Sequence, residues 1–402
     1  MTAQFSDVVV VGGGMVGLTF ASSLRALSPS LQITVLESAD PQPPDERVGL
    51  RVSALSPASR AILVDAGVWD RLPAERLGPY RRMEVWRNDG PGGADSIGFD
   101  AANQGLDVLG YIVENDLLRW QLWQRATEQD IRLLTNSRLD RLQREPDSVH
   151  LRLESGQCIH TRLLIGADGA ASRVRTCLGI DAQRRPYAQQ GIVTHVATER
   201  PHQQTAWQRF LPGGPVALLP LADGRCSVVW SCPDETATEL LQLDADEFGR
   251  RLTDATQAVL GAVTVTETPR AFPLAAAHAT RYTGERFALL GDAAHQVHPL
   301  AGQGVNLGFQ DAAVLADELA CYLASSRYAD PGDRRVLRRY ERRRRGSNLA
   351  MLKSMDLLHQ LFSTGNTPLA AAGALGLGMV DRLGPVKRRL AGQALGHRGL
   401  LQ

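Results

Sequence analysis

The chain has 402 residues, of which 44 are basic and 43 acidic, so its formal net charge is +1 and its composition is that of an ordinary globular protein. This length favours two joined domains over a single core, and the near-neutral charge argues against a general nucleic-acid binder that depends on phosphate neutralisation. Five widely spaced cysteines without zinc-type spacing, no signal-like segment and no apolar run near twenty residues indicate a reduced, cytoplasmic protein without a metal site, soluble or attached at a membrane surface.

The first elements of the chain are a predicted strand, loop and helix. Residues 7–11 include four consecutive valines and are expected to form a buried parallel strand, followed by a glycine-rich loop and a helix to about Leu27. A second strand over residues 32–36 ends at Glu37 and completes a βαβ unit. The elements predicted next are a helix over 57–67, strands within 82–99, a helix over 115–127, and strands over 131–134, 148–153 and 158–165.

The middle of the chain has the alternating pattern of a β-rich domain. Its predicted strands, separated by glycine or proline turns, are residues 191–198, 205–211, 216–219 and 226–230. We interpret this segment as a second, antiparallel domain that is inserted into the first. Residues 287–290 return to the pattern of a buried strand, and the chain from Gln303 onward is predicted to be almost wholly helical.

The glycine-rich loop has the spacing of a dinucleotide-binding turn. In Gly12-x-Gly14-x-x-Gly17 the glycines permit a tight turn, a close approach to a pyrophosphate, and close packing of helix on strand. Glu37 stands twenty residues after Gly17, where its carboxylate can accept hydrogen bonds from an adenosine ribose. The pattern by itself fits FAD and NAD equally, and a glycine turn that binds no cofactor is the alternative.

Two later segments again place an aspartate and a glycine after a strand. Asp168 follows one predicted strand and Arg175 lies on the next helix; alternatively, Asp168 only caps that helix and Arg175 is solvated. Gly291 and Asp292 follow another strand, where a carboxylate can hold a ribityl hydroxyl. The loop of residues 299–306 then opens a long helix, whose N-terminal N–H groups can stabilise negative charge on a reduced flavin ring.

With these residues the chain resembles the class A flavin-dependent aromatic hydroxylases, which share the GxGxxG loop, a DGxxSxVR segment and a GD segment. Within that group it is similar to the ubiquinone-biosynthesis hydroxylases of bacteria and mitochondria, over almost the whole chain. The narrower similarity is carried by Arg51-Val-Ser-Ala-Leu, Gly67-Val-Trp69, Leu109-Gly-Tyr-Ile-Val-Glu114-Asn115, Trp207-Gln-Arg-Phe-Leu-Pro, Leu218-Leu-Pro-Leu and His298-Pro299-Leu-Ala-Gly-Gln-Gly-Val-Asn306-Leu-Gly.

The resemblance implies an α/β fold with a Rossmann-like FAD-binding domain, an inserted antiparallel β-sheet substrate domain and a helical C-terminal tail. The expected domain bounds are 1–75, 105–182 and 280–330 for the discontinuous FAD-binding domain, 76–104 and 183–279 for the substrate domain, and 331–402 for the helical C-terminal region. This is the fold of the aromatic hydroxylases.

The resemblance also implies a role for each matching residue. The residues expected to hold FAD are Gly12, Gly14 and Gly17 at the pyrophosphate, Glu37 at the adenosine ribose, Arg51 near the phosphates, Gln121 near the ribityl chain, Asp168, Gly169 and Arg175 in a segment that also serves the nicotinamide cofactor, Gly291 and Asp292 at the pyrophosphate and ribityl chain, and Pro299, Gly302, Gln303, Gly304, Val305 and Asn306 along the flavin ring. Relatives often carry an acidic residue two positions before the Arg51 equivalent, where this chain has Gly49.

In the family that this chain resembles, NAD(P)H reduces FAD, O₂ forms a flavin C4a-hydroperoxide, and its distal oxygen attacks an electron-rich phenol. The flavin carries this chemistry, so the protein orients the rings and excludes water. His295, His298 and Pro299 lie nearest the expected flavin ring and are the candidate catalytic residues, because a nearby base assists formation of a phenolate. The alternative for each histidine is a helix-entry residue that is hydrogen-bonded to backbone.

The C-terminal region begins with eight arginines between residues 334 and 345, followed by apolar residues at helical spacing. The simplest interpretation is a solvated helix face followed by core-facing residues. The alternative is a docking surface, with residues 342–345 as its centre, because a polyprenyl-phenol substrate requires an apolar tunnel and either a membrane surface or a partner that presents the lipid. The partner is then a ubiquinone-biosynthesis complex or the surface of the inner membrane.

Three functions are open from the sequence. The leading one is an FAD monooxygenase that uses NAD(P)H and O₂ to hydroxylate a polyprenylated phenol in ubiquinone biosynthesis. The second is the same chemistry on a small soluble aromatic, and the third is a flavin-bearing, non-catalytic subunit of a biosynthetic complex. A halogenase is disfavoured because no Trp-x-Trp-x-Ile-Pro segment is present. Neither the ring carbon nor the oligomeric state follows from the sequence.

Overall fold

The computed structural model describes residues 4–297 and 304–363. Its helices are α1 Met15–Leu27, α2 Pro57–Asp65, α3 Asn115–Glu128, α4 Arg173–Cys177, α5 Asp234–Gln242, α6 Ala245–Ala255, α7 Gly304–Ala324 and α8 Arg334–Ser363. Its strands are β1 Gln4–Val11, β2 Ile33–Leu36, β3 Val52–Leu55, β4 Gly78–Tyr80, β5 Arg82–Trp86, β6 Ser96–Asp100, β7 Gly110–Glu114, β8 Arg132–Leu134, β9 Leu139–Arg144, β10 Val149–Leu153, β11 Cys158–Gly166, β12 Ala182–Thr198, β13 Thr205–Leu211, β14 Gly214–Pro220, β15 Cys226–Pro233, β16 Val263–Val265, β17 Arg270–Ala279, β18 Thr283–Gly284, β19 Phe287–Leu289 and β20 His295–Gln296. The helices and strands predicted above are present, although several bounds differ, and the part of the predicted helical region beyond residue 363 lies outside the described residues.

Five parallel strands form the centre of the first sheet, in the order β19-β11-β1-β2-β8. The four valines of residues 8–11 in β1 are buried, as expected for a strand covered on both faces. Val11 pairs with Leu36 of β2 and with Gly166 of β11. Gly166 in turn pairs with Leu289 of β19. The four strands therefore end at one level, at the carboxyl edge where parallel α/β sheets bind their ligands.

The second sheet has the order β20-β17-β12-β15-β14-β13-β5-β6, with β16 beside β12. Its neighbouring strands are antiparallel, as predicted, except for the parallel pair β13 and β5. This pair is parallel because β5 comes from a distant upstream segment, so that no tight hairpin constrains its direction. The β-rich pattern did not predict α5 and α6, which bury Leu240, Phe248 and Leu252 against this sheet.

A third sheet of three antiparallel strands, in the order β3-β7-β4, was not predicted. Its strands contain only three to five residues, which is too short for alternation to separate a strand from a loop. Gly78 of β4 lies against β14 of the second sheet, where an added Cβ would stand 2.4 Å from the carbonyl oxygen of Pro220. The small sheet therefore approaches the large one at a place that only glycine permits.

The helices α7 and α8 complete the packing around the first sheet. Gly308 of α7 faces Val16 of α1, and an added Cβ there would lie 2.5 Å from the Val16 side chain, so the two helices are in close contact. The buried hydroxyl of Tyr340 in α8 donates a hydrogen bond of 2.8 Å to the carbonyl oxygen of Leu289. Within the described ranges, no helix combines the length and the hydrophobicity needed to cross a membrane.

Candidate functional site

Four loops meet at the carboxyl edge of the first sheet. They follow the neighbouring strands β19, β11, β1 and β2. In that order they contain Gly291, Asp168, Gly12 and Glu37. The fold therefore brings together, side by side, the three glycine-containing segments and the acidic residue that the sequence had singled out separately.

The glycine-rich loop is built for close approach of backbone. Gly12 has a φ of +112°, and an added Cβ would lie 2.3 Å from the carbonyl oxygen of Ala167. At Gly17 an added Cβ would lie 2.1 Å from the carbonyl oxygen of Gly12. Gly14, by contrast, has no heavy atom within 4 Å of its Cβ position, and it caps α1 without a side-chain hydrogen bond. The N-terminus of α1 therefore offers open space and free N–H groups, which suit a pyrophosphate.

Glu37 is held against this loop by two contacts. Its Oε2 accepts a hydrogen bond of 2.9 Å from the N–H of Gly13 and forms an ion pair of 3.2 Å with Arg119 Nη2. Arg119 also donates from Nε to the carbonyl oxygen of Gly13 at 3.0 Å. Arg119 could not be predicted from the sequence, because no motif marks it. Its position on α3 brings it to Glu37 only in the folded chain.

Asp168 caps the helix that follows it, as the alternative interpretation had stated. Its carboxylate accepts hydrogen bonds from Ser172 Oγ at 2.6 Å and from the N–H of Val174 at 3.0 Å. Burial raises the pKa of Asp168, and these hydrogen bonds counteract that effect. The carboxylate is therefore engaged within its own loop. Gly169 beside it has a φ of +78° and nothing within 4 Å of its Cβ position.

Arg175 is not solvated, in contrast to the alternative interpretation of its segment. Its Nη1 donates to the carbonyl oxygen of Ala293 at 2.9 Å, and its Nη2 to that of Ala170 at 2.8 Å. The guanidinium thereby connects the loop after β11 to the loop after β19. Arg175 is a bridge between two of the four loops, because a planar guanidinium can donate to two carbonyls at once.

Asp292 lies in a recess at the β19 end of the edge. Its side chain is exposed, yet the protein around it is dense enough to raise the pKa of Asp292, while His295 and Arg51 act in the opposite direction. The Arg51 guanidinium also stands over the ring of Phe272, 5.4 Å from its centre, on β17 of the second sheet. The recess therefore lies where the first and second sheets approach one another.

His295 points into the protein. It is buried, and its Nε2 lies 2.5 Å from Oδ2 of Asp311 on α7. Asp311 also accepts hydrogen bonds from the N–H of Gly291 at 3.2 Å, from Arg344 Nε at 2.7 Å and from Asn348 Nδ2 at 3.0 Å. Burial by itself raises the pKa of Asp311, but His295 and Arg344 outweigh it and hold that pKa at about 2. These groups, with Asp311 at their centre, form the Asp311 network.

An aromatic side chain extends this network towards the second sheet. The ring of Tyr282 stacks on His295, with 5.8 Å between ring centres, and its hydroxyl lies 3.1 Å from Nε2 of His278. Burial, together with Arg345 and His295, lowers the pKa of His278 to about 4, so this imidazole is neutral near pH 7. His295 is thus hydrogen-bonded as its alternative interpretation stated, but to a carboxylate rather than to backbone.

The remaining predicted site residues fall into two groups. Asn306 is buried and joins α7 to α2 and β3: its Oδ1 accepts from Ser59 Oγ at 2.6 Å and its Nδ2 donates to the carbonyl oxygen of Ala54 at 2.8 Å. Gln121 is half-buried on α3, and Gly304 and Val305 form the first turn of α7. The predicted residues outside the described part of the chain are His298, Pro299, Gly302 and Gln303.

A buried carboxylate lies beside Gly49, where relatives often carry an acidic residue. The N–H of Gly49 donates to Glu114 Oε2 at 2.6 Å, and Glu114 pairs with Arg76, whose Nη2 is also 2.6 Å from Oε2. Arg76 further donates to the carbonyl oxygens of Asp45 and Arg47. This pair fastens the loop that precedes Arg51. The pair could not be predicted from the sequence, because Glu114 and Arg76 are separated by 38 positions.

Comparison with known proteins places this geometry among flavoproteins. A family model described as an FAD binding domain matches residues 6–354. The 3-demethoxyubiquinol 3-hydroxylase of Escherichia coli is 38% identical, over 98% of this chain and 100% of its own length. The mitochondrial ubiquinone biosynthesis monooxygenase COQ6 of Xenopus tropicalis is 37% identical, over 96% of this chain and 92% of its own. The crystal structure of Pseudomonas aeruginosa PqsL in complex with 2-aminobenzoylacetate has a TM-score of 0.75 and 26% identity, over 96% of this chain and 100% of that one.

Proposed function

Because this chain belongs to the family of FAD-dependent ubiquinone-biosynthesis hydroxylases, we propose that it hydroxylates the aromatic ring of a polyprenylated phenol. NAD(P)H and O₂ are the co-substrates of this proposal. The main support for this proposal is that the four loops meet at neighbouring strand ends. The edge they form has open space at Gly14 and an exposed carboxylate at Asp292.

FAD, when bound, supplies the activation of O₂, which protein side chains do not provide. The residues of this chain position it. The free N–H groups at Gly14 and the start of α1 receive the pyrophosphate, and Glu37 accepts hydrogen bonds from the adenosine ribose. Asp292 accepts from the ribityl chain at the far end. Arg51, close enough to Asp292 to lower its pKa, balances negative charge there.

Other residues of the site act on the shape of the loops. Asp168 and Arg175 hold two loops in place by the hydrogen bonds described above, and His295 holds the loop after β19 through Asp311. His295 is therefore a positioning residue in this proposal, rather than a catalytic one. The assignments that rest on the family resemblance alone are Gln121 at the ribityl chain, Gly169 at the shared cofactor segment, Gly302, Gln303, Gly304, Val305 and Asn306 at the flavin ring, and His298 and Pro299 at the substrate phenol.

The substrate ring binds, in this proposal, between the recess at Asp292 and the second sheet. Phe272 on β17 is partly exposed there, and the Arg51 guanidinium covers its ring. An exposed aromatic side chain beside the recess offers an apolar wall for a phenol. Residues 1–75, 105–182 and 280–330 then serve FAD, residues 76–104 and 183–279 serve the substrate, and the chain from residue 331 forms a third part.

The test uses the FAD-loaded protein and a set of bacterial strains that each lack one ring hydroxylase of ubiquinone biosynthesis. The expected result is rescue of one strain, with the accumulated intermediate identified by mass, and NAD(P)H oxidation that depends on a polyprenylated phenol. Rescue of no strain contradicts the quinone assignment. Oxidation stimulated only by a soluble aromatic acid would instead favour the second function, and the absence of any substrate-dependent oxidation would favour the non-catalytic subunit.

A further inference from the structure

Charge is unevenly distributed along the chain, although the total is close to zero. Residues 334–402 contain fourteen basic and three acidic side chains, a net charge of +11, so residues 1–333 carry a net charge of −10. Eight of the fourteen basic residues are the arginines at the start of α8. Basic charge concentrated in this way is typical of a surface that binds an anionic partner.

The structure separates these eight arginines into one buried and seven exposed residues. Arg344 is buried and bonded to Asp311, so the hypothesis that residues 342–345 form one basic patch is wrong at this position. Every exposed residue between positions 334 and 345 is an arginine. At 100° per residue they cover about half of the helix circumference, along about 17 Å of its axis. The arginine face consists of Arg334, Arg335, Arg338, Arg339, Arg342, Arg343 and Arg345.

Most of the arginine face has no counter-charge within the described residues. Arg335 bonds to Asp333 and Arg343 to Glu318, each at 2.8 Å. The other five arginines pair with no carboxylate in the part of the chain that the structure describes, which is residues 4–297 and 304–363. Like charges four residues apart on a helix repel each other. An external anion would remove that repulsion.

Three of the unpaired arginines surround a hollow on α8. Arg338, Arg342 and Arg345 line this open space of about 540 Å³, together with Gly346 and Leu349. Among the described residues that line it, Glu341 is the one with a carboxylate, and that carboxylate is already engaged. It accepts hydrogen bonds from the N–H of Tyr282 at 2.9 Å and from the hydroxyl of Thr283 at 2.7 Å. The hollow is therefore lined by guanidinium groups. Each guanidinium can donate two parallel hydrogen bonds to two oxygens of one phosphate.

We propose that the arginine face docks on an anionic phospholipid surface. Two exposed side chains with large apolar surfaces flank the face: Tyr328 is 78% exposed just before α8, and Leu357 is 56% exposed about 18 Å beyond Arg345 along the helix. Such groups enter the lipid interface while arginines meet the headgroup phosphates. The choice of lipid over an acidic protein rests on the proposed function, because a polyprenylated substrate partitions into bilayers. Residues 364–402, which lie outside the described part of the chain, contain five basic side chains and one acidic one, so the sequence after α8 is also net positive.

The experiment is co-sedimentation of the full-length, FAD-loaded protein with vesicles of phosphatidylcholine, with and without phosphatidylglycerol. We expect binding only to the vesicles that contain phosphatidylglycerol, and release by added salt. The double variant Arg338→Gln/Arg342→Gln should bind about 30-fold more weakly, since each arginine near an anionic surface contributes about 1 kcal/mol. The matched control, Arg200→Gln/Arg251→Gln, removes two arginines that are exposed outside α8 and should bind as the wild type does.

Three outcomes would overturn the proposal: no sedimentation of the intact protein with anionic vesicles, equal losses in both double variants, or retention on an immobilised acidic polypeptide without retention on vesicles. Turnover of a short-chain, soluble phenol without vesicles serves as the second measurement. The Arg338→Gln/Arg342→Gln variant should keep its FAD and this turnover. Vesicle binding without hydroxylation would leave the docking surface standing and contradict the proposed function, whereas hydroxylation without vesicle binding would do the reverse.

Discussion

The two ends of the four-loop edge are held in place by different parts of the chain. At the β1–β2 end, the contact of Gly17 with Gly12 and the bond from Gly13 to Glu37 act within a single βαβ unit. Two distant residues add to them: Ala167 lies against Gly12, and Arg119 contacts both Glu37 and the Gly13 carbonyl. At the β19 end, Gly291 and His295 depend on Asp311 of α7, which in turn depends on α8. The first end is therefore organised locally and by backbone, and the second by buried charges from three separate elements. Substitutions at the second end should therefore lower the free energy of unfolding of the whole protein.

The largest expected effect is that of Asp311→Ala. Removing this buried carboxylate leaves Arg344 and His295 without their common partner, and breaking a buried ion pair costs about 3 to 5 kcal/mol. Urea unfolding, with the FAD content measured in parallel, checks this. As a control, Glu247→Ala removes a carboxylate that pairs with Arg250 at the surface and should change stability little. Equal losses in the two variants would contradict the central role of the Asp311 network.

His298→Ala tests whether the same end also carries chemistry. From the family resemblance we expect this variant to retain FAD and to lose turnover by about 100-fold, the lower range for loss of a general base. The measurement is product formation at saturating substrate, with the flavin absorbance as the check on cofactor content. Unchanged turnover would remove His298 from the mechanism.

Gly14→Ala tests the other end. Its added Cβ points into the open space at the N-terminus of α1, so the fold should tolerate it while the pyrophosphate should not. We expect the Kd for FAD to rise about tenfold, with a nearly unchanged free energy of unfolding. Gly346→Ala is a matched control, because its Cβ also meets nothing within 4 Å but lies on α8. A normal Kd in Gly14→Ala would argue against this position for the pyrophosphate.

The smallest expected effect is that of Arg119→Gln, which removes the two contacts from α3 to Glu37 and to the Gly13 carbonyl at the β1–β2 end. Glu37 keeps its bond from Gly13 but loses the ion pair at 3.2 Å, so we expect the Kd for FAD to rise only about fivefold. Fluorescence titration of the apoprotein with FAD measures it. Arg125→Gln on the same helix, where Arg125 lies 3.8 Å from Glu128, should leave the Kd unaltered. A loss as large as that of Gly14→Ala would show that this end is not organised locally.

Much of the first sheet could be predicted from the sequence. The valines of β1, the glycine spacing and Glu37 at the end of β2 form a local pattern, in which neighbouring residues dictate one another's conformation. The third sheet, α5 and α6 could not be predicted in this way. The three strands of that sheet are short and pair over long distances along the chain, and the two helices interrupt an otherwise β-rich pattern.

The site divides in the same way. The sequence by itself indicated a dinucleotide and the strand ends that meet it, because these depend on glycines and acids at set distances from strands, and the family resemblance of the later segments added that the dinucleotide is FAD. Only the tertiary structure decided which polar groups face the four-loop edge and which are bonded inside the protein: Asp168 to its own helix, Asn306 to β3, and Arg344 to Asp311. Arg344 differs from its arginine neighbours only in its angle around α8. Arg344 becomes buried because its angle faces α7 when the two helices pack together. No property of the arginine itself predicts this burial.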